Sequence, residues 1–160
     1  MPREVEHKFL VKDGWRQHVG HGIRYQQGYL SLDPERSVRV RLGGGKAVIT
    51  MKGKPDGAAR DEFEYPIPAE DGRQILDRMC VKPLIEKTRY ELSHGRLTWQ
   101  IDEFGGENRG LVVTEVETDR ESRDILKPDW AGDEVTDDSR YSNINLVRQP
   151  YSQWRQPVGR

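Results

Sequence analysis

Residues 1–11 read MPREVEHKFLV, and in this stretch Glu4, Glu6 and Lys8 occupy alternate positions. Because successive side chains of a β-strand point to opposite faces, a strand here places these three charges on one face. The apolar Phe9 then points to the other face. A charged face is common on a solvated edge strand, so the meaning of this pattern depends on whether later segments repeat it.

The same period-two alternation recurs along most of the chain. The later segments that show it are IRYQQGYLSL (23–32), RSVRVRL (36–42), KAVITMKGK (46–54), RDEFEYPI (60–67), IEKTRYELS (85–93), RLTWQIDEF (96–104) and GLVVTEVETD (110–119). A helix is predicted for AEDGRQILDRMC (69–80), and short helices for DGWRQHV (13–19), ESRDIL (121–126) and SNINLV (142–147). A strand follows the triple glycine at 43–45, which therefore predicts a hairpin turn rather than a phosphate-binding loop.

The composition is that of one small domain without a strong overall charge. The chain has 160 residues, of which 1–150 are expected to form a single domain and 151–160 a polar tail. Its net charge of −1 provides no bulk field to attract nucleic acid or a membrane surface, so neither is expected as a partner. No apolar stretch reaches the roughly 18 residues of a membrane span, and the lone Cys80 fits a reducing compartment. A cytoplasmic location is expected.

Two interpretations account for the charged faces of the strands. The charges opposite apolar residues are seven acids (Glu4, Glu6, Glu62, Glu64, Asp102, Glu115 and Glu117) and six bases (Lys8, Arg39, Arg41, Lys52, Lys87 and Arg89). In the first interpretation they form the solvated outer face of an antiparallel sheet and make ordinary cross-strand ion pairs. In the second, the sheet closes into a barrel, the charges line its lumen, and the apolar faces pack outward under helices.

The spacing of the acids favours the lumen. They form E-x-E doublets on three separate strands, a grouping that a solvated surface does not require. Each doublet sets two carboxylates about 6.6 Å apart at Cα on one face, close enough for both to approach one cation. Like charges so close together in a confined space need a counterion. The clustering therefore favours a metal site.

The motifs resemble those of one family over nearly the whole chain. EVEHK is similar to the E-x-E-x-K signature of the CYTH superfamily, the triphosphate tunnel metalloenzymes. The stretches QGYL, VRVR, MKGK, FEYPIP, EKTRY, IDEF, LVVTEVE and DEVTDDSRYSN follow in the order that small bacterial members show. The resemblance implies a mainly β (α+β) fold, a closed eight-stranded antiparallel β-barrel with a charged lumen and a few short helices packed outside. It also implies that the lumen binds a triphosphate and a divalent metal.

The resemblance assigns roles to the charged residues. Glu4, Glu6, Glu115 and Glu117 resemble the main metal-binding acids, and Glu62, Glu64 and Asp102 resemble further acids that hold a second metal or the attacking water. Lys8, Arg39, Arg41, Lys52, Lys87 and Arg89 resemble the phosphate-binding bases, with Lys8 and Lys87 also candidates for catalysis. Mg²⁺ or Mn²⁺ is the expected cofactor, because these ions take carboxylate, water and phosphate oxygens as ligands.

Tyr29, in QGYL, has a more open role. The matching tyrosine of the family is a proposed proton acceptor, which requires neighbouring lysines and a metal to lower a pKa that is ordinarily near 10. The alternative is a hydroxyl that positions the substrate or serves the structure. Tyr141, Ser142 and Asn143 resemble the start of a C-terminal helix that plugs one mouth of the tunnel.

The predicted function is divalent-metal-dependent hydrolysis of the terminal phosphoryl group of a triphosphate, with inorganic tripolyphosphate as the leading substrate. Three alternatives stay open: a thiamine triphosphatase, a class IV adenylyl cyclase, and a polyphosphate-binding module without turnover. The expected partners are a small-molecule triphosphate or polyphosphate and a second copy of the chain in a homodimer.

Overall fold

The computed structural model describes residues 5–54, 60–120 and 122–154, and within them the chain forms one antiparallel sheet of nine strands. The strands are β1 (Val5–Val11), β2 (Ile23–Ser31), β3 (Arg36–Gly43), β4 (Lys46–Gly53), β5 (Glu62–Ile67), β6 (Ile85–His94), β7 (Leu97–Phe104), β8 (Val112–Thr118) and β9 (Ala131–Glu134). The α-helices are α1 (Ala69–Arg78) and α2 (Asn143–Arg148), and single 3₁₀ turns lie at Trp15–His18, Gly106–Asn108, Ser122–Asp124, Ser139–Tyr141 and Tyr151–Gln153.

Each segment with alternating charge is a strand, so the mainly β, antiparallel prediction is confirmed. The predicted number of strands, eight, is wrong because β9 pairs with β1 as a ninth. Its sequence, AGDE, has neither alternation nor β-branched residues, so nothing in it predicts a strand. The predicted segment 121–126 forms only a 3₁₀ turn, at Ser122–Asp124.

Within the described residues the sheet does not close into a barrel. The strand order is β5-β4-β3-β2-β6-β7-β8-β1-β9, and in the described residues β5 and β9 each pair with a single neighbour. The edge of β1 that a closing strand would use is partly occupied, because β9 pairs there at Phe9 and Val11. Closure was a prediction that the observed pairing does not reproduce.

The turn between β3 and β4 is the predicted hairpin. Gly43 pairs with Lys46, which leaves Gly44 and Gly45 as a two-residue loop with φ angles of 59° and 77°. A two-residue turn with positive φ at both positions matches the right-handed twist of the strands and favours glycine strongly. The turn fixes the register of β3 and β4, and with it the face on which their charged side chains lie.

Most of the apolar core lies on the face of the sheet opposite the charged side chains, here called the convex face; the face with the charged side chains is called the concave face. Helix α1 covers β3 and β4, where Val40, Leu76 and Cys80 are buried together. The helix approaches so closely that a Cβ added at Gly72 would lie 2.5 Å from the Cβ of Ala47. A second group of buried residues covers β1, β7 and β8 and is rich in aromatic side chains; it consists of Phe9, Trp15, Trp99, Ile101, Val116, Ile125, Trp130 and Ala131.

The concave face is apolar at one end and charged over the rest. At the apolar end, Leu146 and Val147 of α2 pack with residues of the sheet and with Tyr141; the sheet residues are Tyr29, Ile85, Phe104 and Val113. Two residues of the predicted tail, Tyr151 and Trp154, pack against this group, and their rings lie 5.0 Å apart. The remainder of the tail, 155–160, lies outside the described residues. None of the helices in the described part of the chain is long and apolar enough to cross a membrane.

Candidate active site

A cavity of about 370 Å³ lies against the charged part of the concave face. Seven strands, β1 to β4 and β6 to β8, contribute side chains to its lining. All six predicted bases are among them: Lys8, Arg39, Arg41, Lys52, Lys87 and Arg89. The alternation that marks each strand in the sequence therefore brings bases from four strands, β1, β3, β4 and β6, around one space.

Among the described residues that line the cavity, lysine and arginine side chains outnumber acidic side chains. Burial, followed by the neighbouring Arg39, lowers the pKa of the Arg41 guanidinium. The Arg41 guanidinium carbon also lies 4.8 Å from the centre of the Tyr25 ring, a favourable cation–π distance. An anionic ligand stabilises the charged form of a buried cation such as Arg41.

Two of the predicted acids converge at the edge of this cavity. Glu6 and Glu115 line it together with Lys8, whose Nζ lies 3.6 Å from Glu115 Oε1. Loss of solvent around Glu6 and the nearby Glu115 charge raise the pKa of Glu6 to about 7, although Lys8 and Lys52 partly oppose the shift. Glu117 lies on the same face two residues along and lines an adjoining cavity of about 350 Å³ with Glu6 and Glu115.

Asp102 lies at the base of the site and is fully engaged by cations. It is 1% exposed, and its carboxylate accepts hydrogen bonds from Arg89 Nε at 2.7 Å and Arg89 Nη2 at 2.9 Å. Lys87 Nζ lies 3.1 Å from Asp102 Oδ2. Burial alone would raise the pKa of Asp102, but the Lys87 charge and the Arg89 hydrogen bonds outweigh it and lower the pKa to about 2.

Lys87 is the most deeply buried of the bases. Burial lowers its pKa and the neighbouring Arg89 charge adds to the shift, whereas the attraction of Asp102 opposes it only in part. Burial alone would also lower the pKa of Arg89, but its hydrogen bonds to Asp102 raise it. Two cations that share one carboxylate leave a net positive charge beside the cavity.

The C-terminal segment contacts both candidate catalytic lysines. Lys8 Nζ donates to the backbone carbonyl of Tyr141 at 3.1 Å, and Lys87 Nζ donates to Asn143 Oδ1 at 3.5 Å. Helix α2 begins at Asn143 because Ser142 Oγ accepts a hydrogen bond from the backbone N–H of Asn145 at 3.2 Å, which caps the helix. The predicted helix is present, and its first residues line the cavity.

Glu62 and Glu64 do not join Glu6 and Glu115. Glu62 lies 3.4 Å from Lys52 Nζ, and Glu64 accepts a hydrogen bond from the Thr50 hydroxyl at 3.0 Å; both belong to the end strand β5 and are exposed. Glu4 lies outside the described residues.

The donor set is chemically suited to a hard divalent cation but is not a complete cage. Within the described residues no three acidic, histidine or cysteine side chains gather closely enough to hold a metal by themselves. Glu6 and Glu115 nevertheless crowd each other, since burial of Glu6 and then the Glu115 charge raise the pKa of Glu6. Mg²⁺ commonly uses one or two carboxylates and takes its other ligands from water and phosphate oxygens. The residues present fit an ion of this kind.

Tyr29 lies in the lining, but its environment does not make it a base. It is 5% exposed, and burial raises the pKa of its hydroxyl, with Arg39 opposing the shift only in part. The neighbouring bases by themselves do not lower this pKa, because Tyr29 also packs into the apolar end of the concave face.

Several polar residues of the lining were not predicted as site residues. They are Gln27, Ser37, Thr50, Arg60 and Gln100. Gln27, Ser37, Thr50 and Gln100 alternate in phase with charged or aromatic site residues, so the period of the strands could have identified them. Arg60 precedes β5 and is held by a hydrogen bond from its Nε to the Gly53 carbonyl at 2.9 Å, a contact that no local pattern reveals.

The model of the CYTH domain matches residues 2–151. The chain belongs to the CYTH domain family. It is 44% identical to an inorganic triphosphatase of Acetivibrio thermocellus over 156 residues, which cover 98% of this chain and 100% of that protein. It is 33% identical to an inorganic triphosphatase of Nitrosomonas europaea over 161 residues, which cover 90% of this chain and 96% of that protein. The predicted resemblance to this family is thereby confirmed.

The fold agrees with a solved structure of a protein named inorganic triphosphatase. The crystal structure of the inorganic triphosphatase NE1496 superposes with a TM-score of 0.68 at 30% identity and covers 92% of this chain and 95% of that chain. The CYTH fold of this chain therefore extends over nearly its full length.

Proposed function

We propose that this CYTH protein is a divalent-metal-dependent triphosphatase that hydrolyses the terminal phosphoryl group of inorganic tripolyphosphate. The observation that carries the proposal is one cavity lined by seven lysine and arginine side chains, with Glu6 and Glu115 at its edge. Two relatives named inorganic triphosphatase, which align with nine-tenths or more of this chain, support the same reaction.

The bases bind the polyanion. Arginine offers a fork of donors that matches two phosphate oxygens, and lysine offers a compact charge. Because Arg39, Arg41, Lys52, Lys87, Arg89 and Lys8 project from several strands around one cavity, they contact a linear triphosphate from more than one side. A linear polyanion with several charges is the ligand that such an arrangement fits.

The carboxylates hold the metal. Glu6, Glu115 and Glu117, together with Glu4, are the ligands we assign to Mg²⁺ or Mn²⁺. When bound, such an ion would neutralise phosphate oxygens and, as a Lewis acid on these oxygens, polarise the phosphoryl group that reacts. Asp102 is better suited to orienting Lys87 and Arg89, since both of its oxygens already accept hydrogen bonds or ion pairs from them.

The reaction is an in-line attack by water on the terminal phosphorus. The P–O bond to the bridging oxygen breaks, and inorganic phosphate and diphosphate are the products. Catalysis of this kind comes mainly from positioning and charge stabilisation, and little covalent chemistry falls to the protein. Lys8 and Lys87 donate hydrogen bonds to oxygens that gain negative charge, and the Tyr29 hydroxyl positions the substrate rather than accepting a proton.

The cavity has little aromatic or apolar surface to bind the organic half of a larger substrate. Among its described lining residues Tyr29 is the one aromatic side chain, and its ring is largely buried in the apolar end of the concave face. A nucleobase or a thiazolium ring binds best where aromatic or apolar surface is available for stacking. This favours inorganic tripolyphosphate over ATP and thiamine triphosphate.

Closure of the barrel around the substrate is part of the proposal. Strand β9 pairs with β1 only at Phe9 and Val11, so the edge of β1 at Val5 and Glu6 has no strand beside it in the described residues. In the described residues the end strand β5 pairs with β4 alone, so its other edge has no strand beside it. This strand carries Glu62 and Glu64. Pairing of β5 along this edge completes the tunnel, and hydrogen exchange of the β5 amides is expected to slow when tripolyphosphate is added. A cytoplasmic location and a homodimer remain predictions.

The test is phosphate release from tripolyphosphate, ATP and thiamine triphosphate, each with Mg²⁺, Mn²⁺ or EDTA. Rapid release from tripolyphosphate with either metal, and none with EDTA, is expected. Cyclic AMP and pyrophosphate from ATP would instead identify a cyclase. Tight binding of long polyphosphate without any phosphate release would identify a binding module and overturn the catalytic proposal.

A further inference from the structure

Gln27 is a fully buried polar residue whose side chain has no partner in the described part of the protein. It is 0% exposed and lines the charged cavity from β2. Neither its amide nitrogen nor its amide oxygen makes a hydrogen bond. The amide lies near enough to the Tyr29 hydroxyl to lower the pKa of Tyr29 slightly, but the two groups do not reach hydrogen-bond geometry.

Such an arrangement is unusual for a structural glutamine. The large majority of buried side-chain polar atoms are hydrogen-bonded, because desolvation without a partner is unfavourable. The other buried polar side chains without a complete set of partners differ from Gln27. Trp99 lies among aromatic rings in the convex core, and Asn108 uses its Oδ1 to accept from the backbone N–H of Tyr151 at 2.8 Å. At Gln27 neither the amide nitrogen nor the amide oxygen has a hydrogen-bond partner in the described residues.

A second unpartnered donor belongs to the same cavity. Arg39 Nε is buried and without a hydrogen bond, and Arg39 is the residue opposite Tyr29 on the neighbouring strand β3. Gln27 is opposite Arg41 on β3 and opposite Ile85 on β6. Directly opposite residues have Cβ atoms about 4.5–5.5 Å apart. An amide and two guanidinium groups therefore line one wall of the cavity together.

This wall is separate from the acids. Gln27 and Arg39 belong to β2 and β3, whereas Glu6 and Glu115 belong to β1 and β8, with β6 and β7 between the two pairs of strands in the sheet. A ligand oxygen that satisfies Gln27 is therefore bound on the side of the cavity away from the proposed metal ligands. The amide nitrogen carries two hydrogens, and a phosphoryl oxygen accepts either of them.

We propose that Gln27 contacts the substrate, donating a hydrogen bond from its side-chain amide to a phosphoryl oxygen of the bound triphosphate beside Arg39. The assignment rests on the proposed function, because it takes the ligand to be a triphosphate. It adds a neutral donor to the charged residues and places one phosphoryl group on the wall formed by β2 and β3. Since Gln27 and Arg39 lie on other strands than the acids, the contact forms whether or not a metal is bound.

The test compares Gln27→Met, which keeps the approximate size of the side chain and removes its hydrogen bonds, with Gln26→Met as a matched control. Gln26 is the preceding residue of β2, on the opposite face and exposed. Affinity for tripolyphosphate is measured by calorimetry in EDTA, and the midpoint of thermal unfolding is measured without ligand. Gln27→Met is expected to weaken binding about 10- to 100-fold, with an unfolding midpoint equal to that of the wild type or higher. Gln26→Met is expected to change neither.

Two further variants keep the test decisive. Gln27→Glu has the same shape but repels phosphate, and it is expected to weaken binding more than Gln27→Met. Gln27→Asn keeps the amide and shortens its reach, so it provides the same comparison if the methionine variant does not fold. Binding within twofold of the wild type, together with a lower unfolding midpoint, would assign Gln27 to structure and overturn the proposal. A wild-type protein that neither binds nor hydrolyses tripolyphosphate would overturn the proposed function itself.

Discussion

Arg89 holds Asp102 through two parallel hydrogen bonds, from Nε to Oδ1 at 2.7 Å and from Nη2 to Oδ2 at 2.9 Å. Arg89 Nη2 also lies 3.9 Å from Glu115, which in turn lies 3.6 Å from Lys8 Nζ. A continuous set of ion pairs thus runs from the buried base of the cavity to the acids at its edge. The positions of the bases and of the proposed metal ligands are therefore coupled.

Replacing Asp102 with asparagine is expected to destabilise the protein strongly. The substitution removes the shared anion and leaves Lys87 and Arg89 as uncompensated, largely buried cations, which typically costs about 3–5 kcal/mol. Urea denaturation measures the change in the free energy of unfolding. Asp138→Asn is the matched control, because its pair with Arg140 is exposed and its loss is expected to matter far less. Equal effects of the two substitutions would contradict the structural role of Asp102.

The stability that Asp102 contributes is expected to depend on pH in a defined window. Its pKa in the folded protein, about 2, lies below the ordinary value of 3.8. Protonation therefore favours the unfolded state, so the contribution is complete above about pH 4 and is lost as the pH falls towards 2. The shift corresponds to about 2 kcal/mol. Unfolding free energies of the wild type and Asp102→Asn, measured between pH 5 and 2, should converge as the pH falls; a constant difference would contradict the prediction.

The alternation in the sequence identified the face of each strand but not the contents of the site. It assigned all six bases to the face that lines the cavity, because a period of two leaves only two choices for each strand. It could not show that β5 ends the sheet, which leaves Glu62 and Glu64 at an exposed edge. Nor could it reveal β9, whose pairing depends on long-range contacts with β1.

Two functional features depended on burial, which a single sequence does not report. A search for charged residues does not identify Gln27, because its side chain is neutral. Gln27 nevertheless shares a face with Tyr29, is fully buried and lines the cavity. The pKa of Tyr29 is raised because α2 and the apolar end of the concave face exclude water from its ring. The lowered pKa that a proton acceptor needs depends on neighbouring lysines together with a metal.

The close contact between α1 and β4 is expected to make Gly72 sensitive to substitution. In Gly72→Ala the new Cβ would lie 2.5 Å from the Cβ of Ala47, so the helix or the strand must shift. Overpacking of this kind costs about 1–3 kcal/mol, more than the gain of at most about 1 kcal/mol from the helix propensity of alanine.

A double-mutant cycle tests this contact. Ala47→Gly removes the opposing methyl group, so Gly72→Ala is expected to be less destabilising in the Ala47→Gly background than in the wild type. Thermal or urea unfolding of the four proteins gives the coupling energy. Additive effects would mean that α1 does not pack on β4 at this distance.

Glu6→Gln is expected to separate metal binding from folding. The substitution removes one of two carboxylates that crowd each other, so the unfolding midpoint of the metal-free protein should stay the same or rise. The affinity for Mn²⁺ should fall, because a neutral amide is a weaker ligand than a carboxylate for a hard cation. Phosphate release from tripolyphosphate should fall by about 100-fold or more, as expected when a metal ligand for a phosphoryl transfer is lost.

Glu70→Gln on α1, an exposed position on the convex side, is the control and should change none of the three measurements. If Glu6→Gln retained the metal affinity and turnover of the wild type while Glu115→Gln lost both, the metal would be held without Glu6, and the raised pKa of Glu6 would reflect crowding by Glu115 alone.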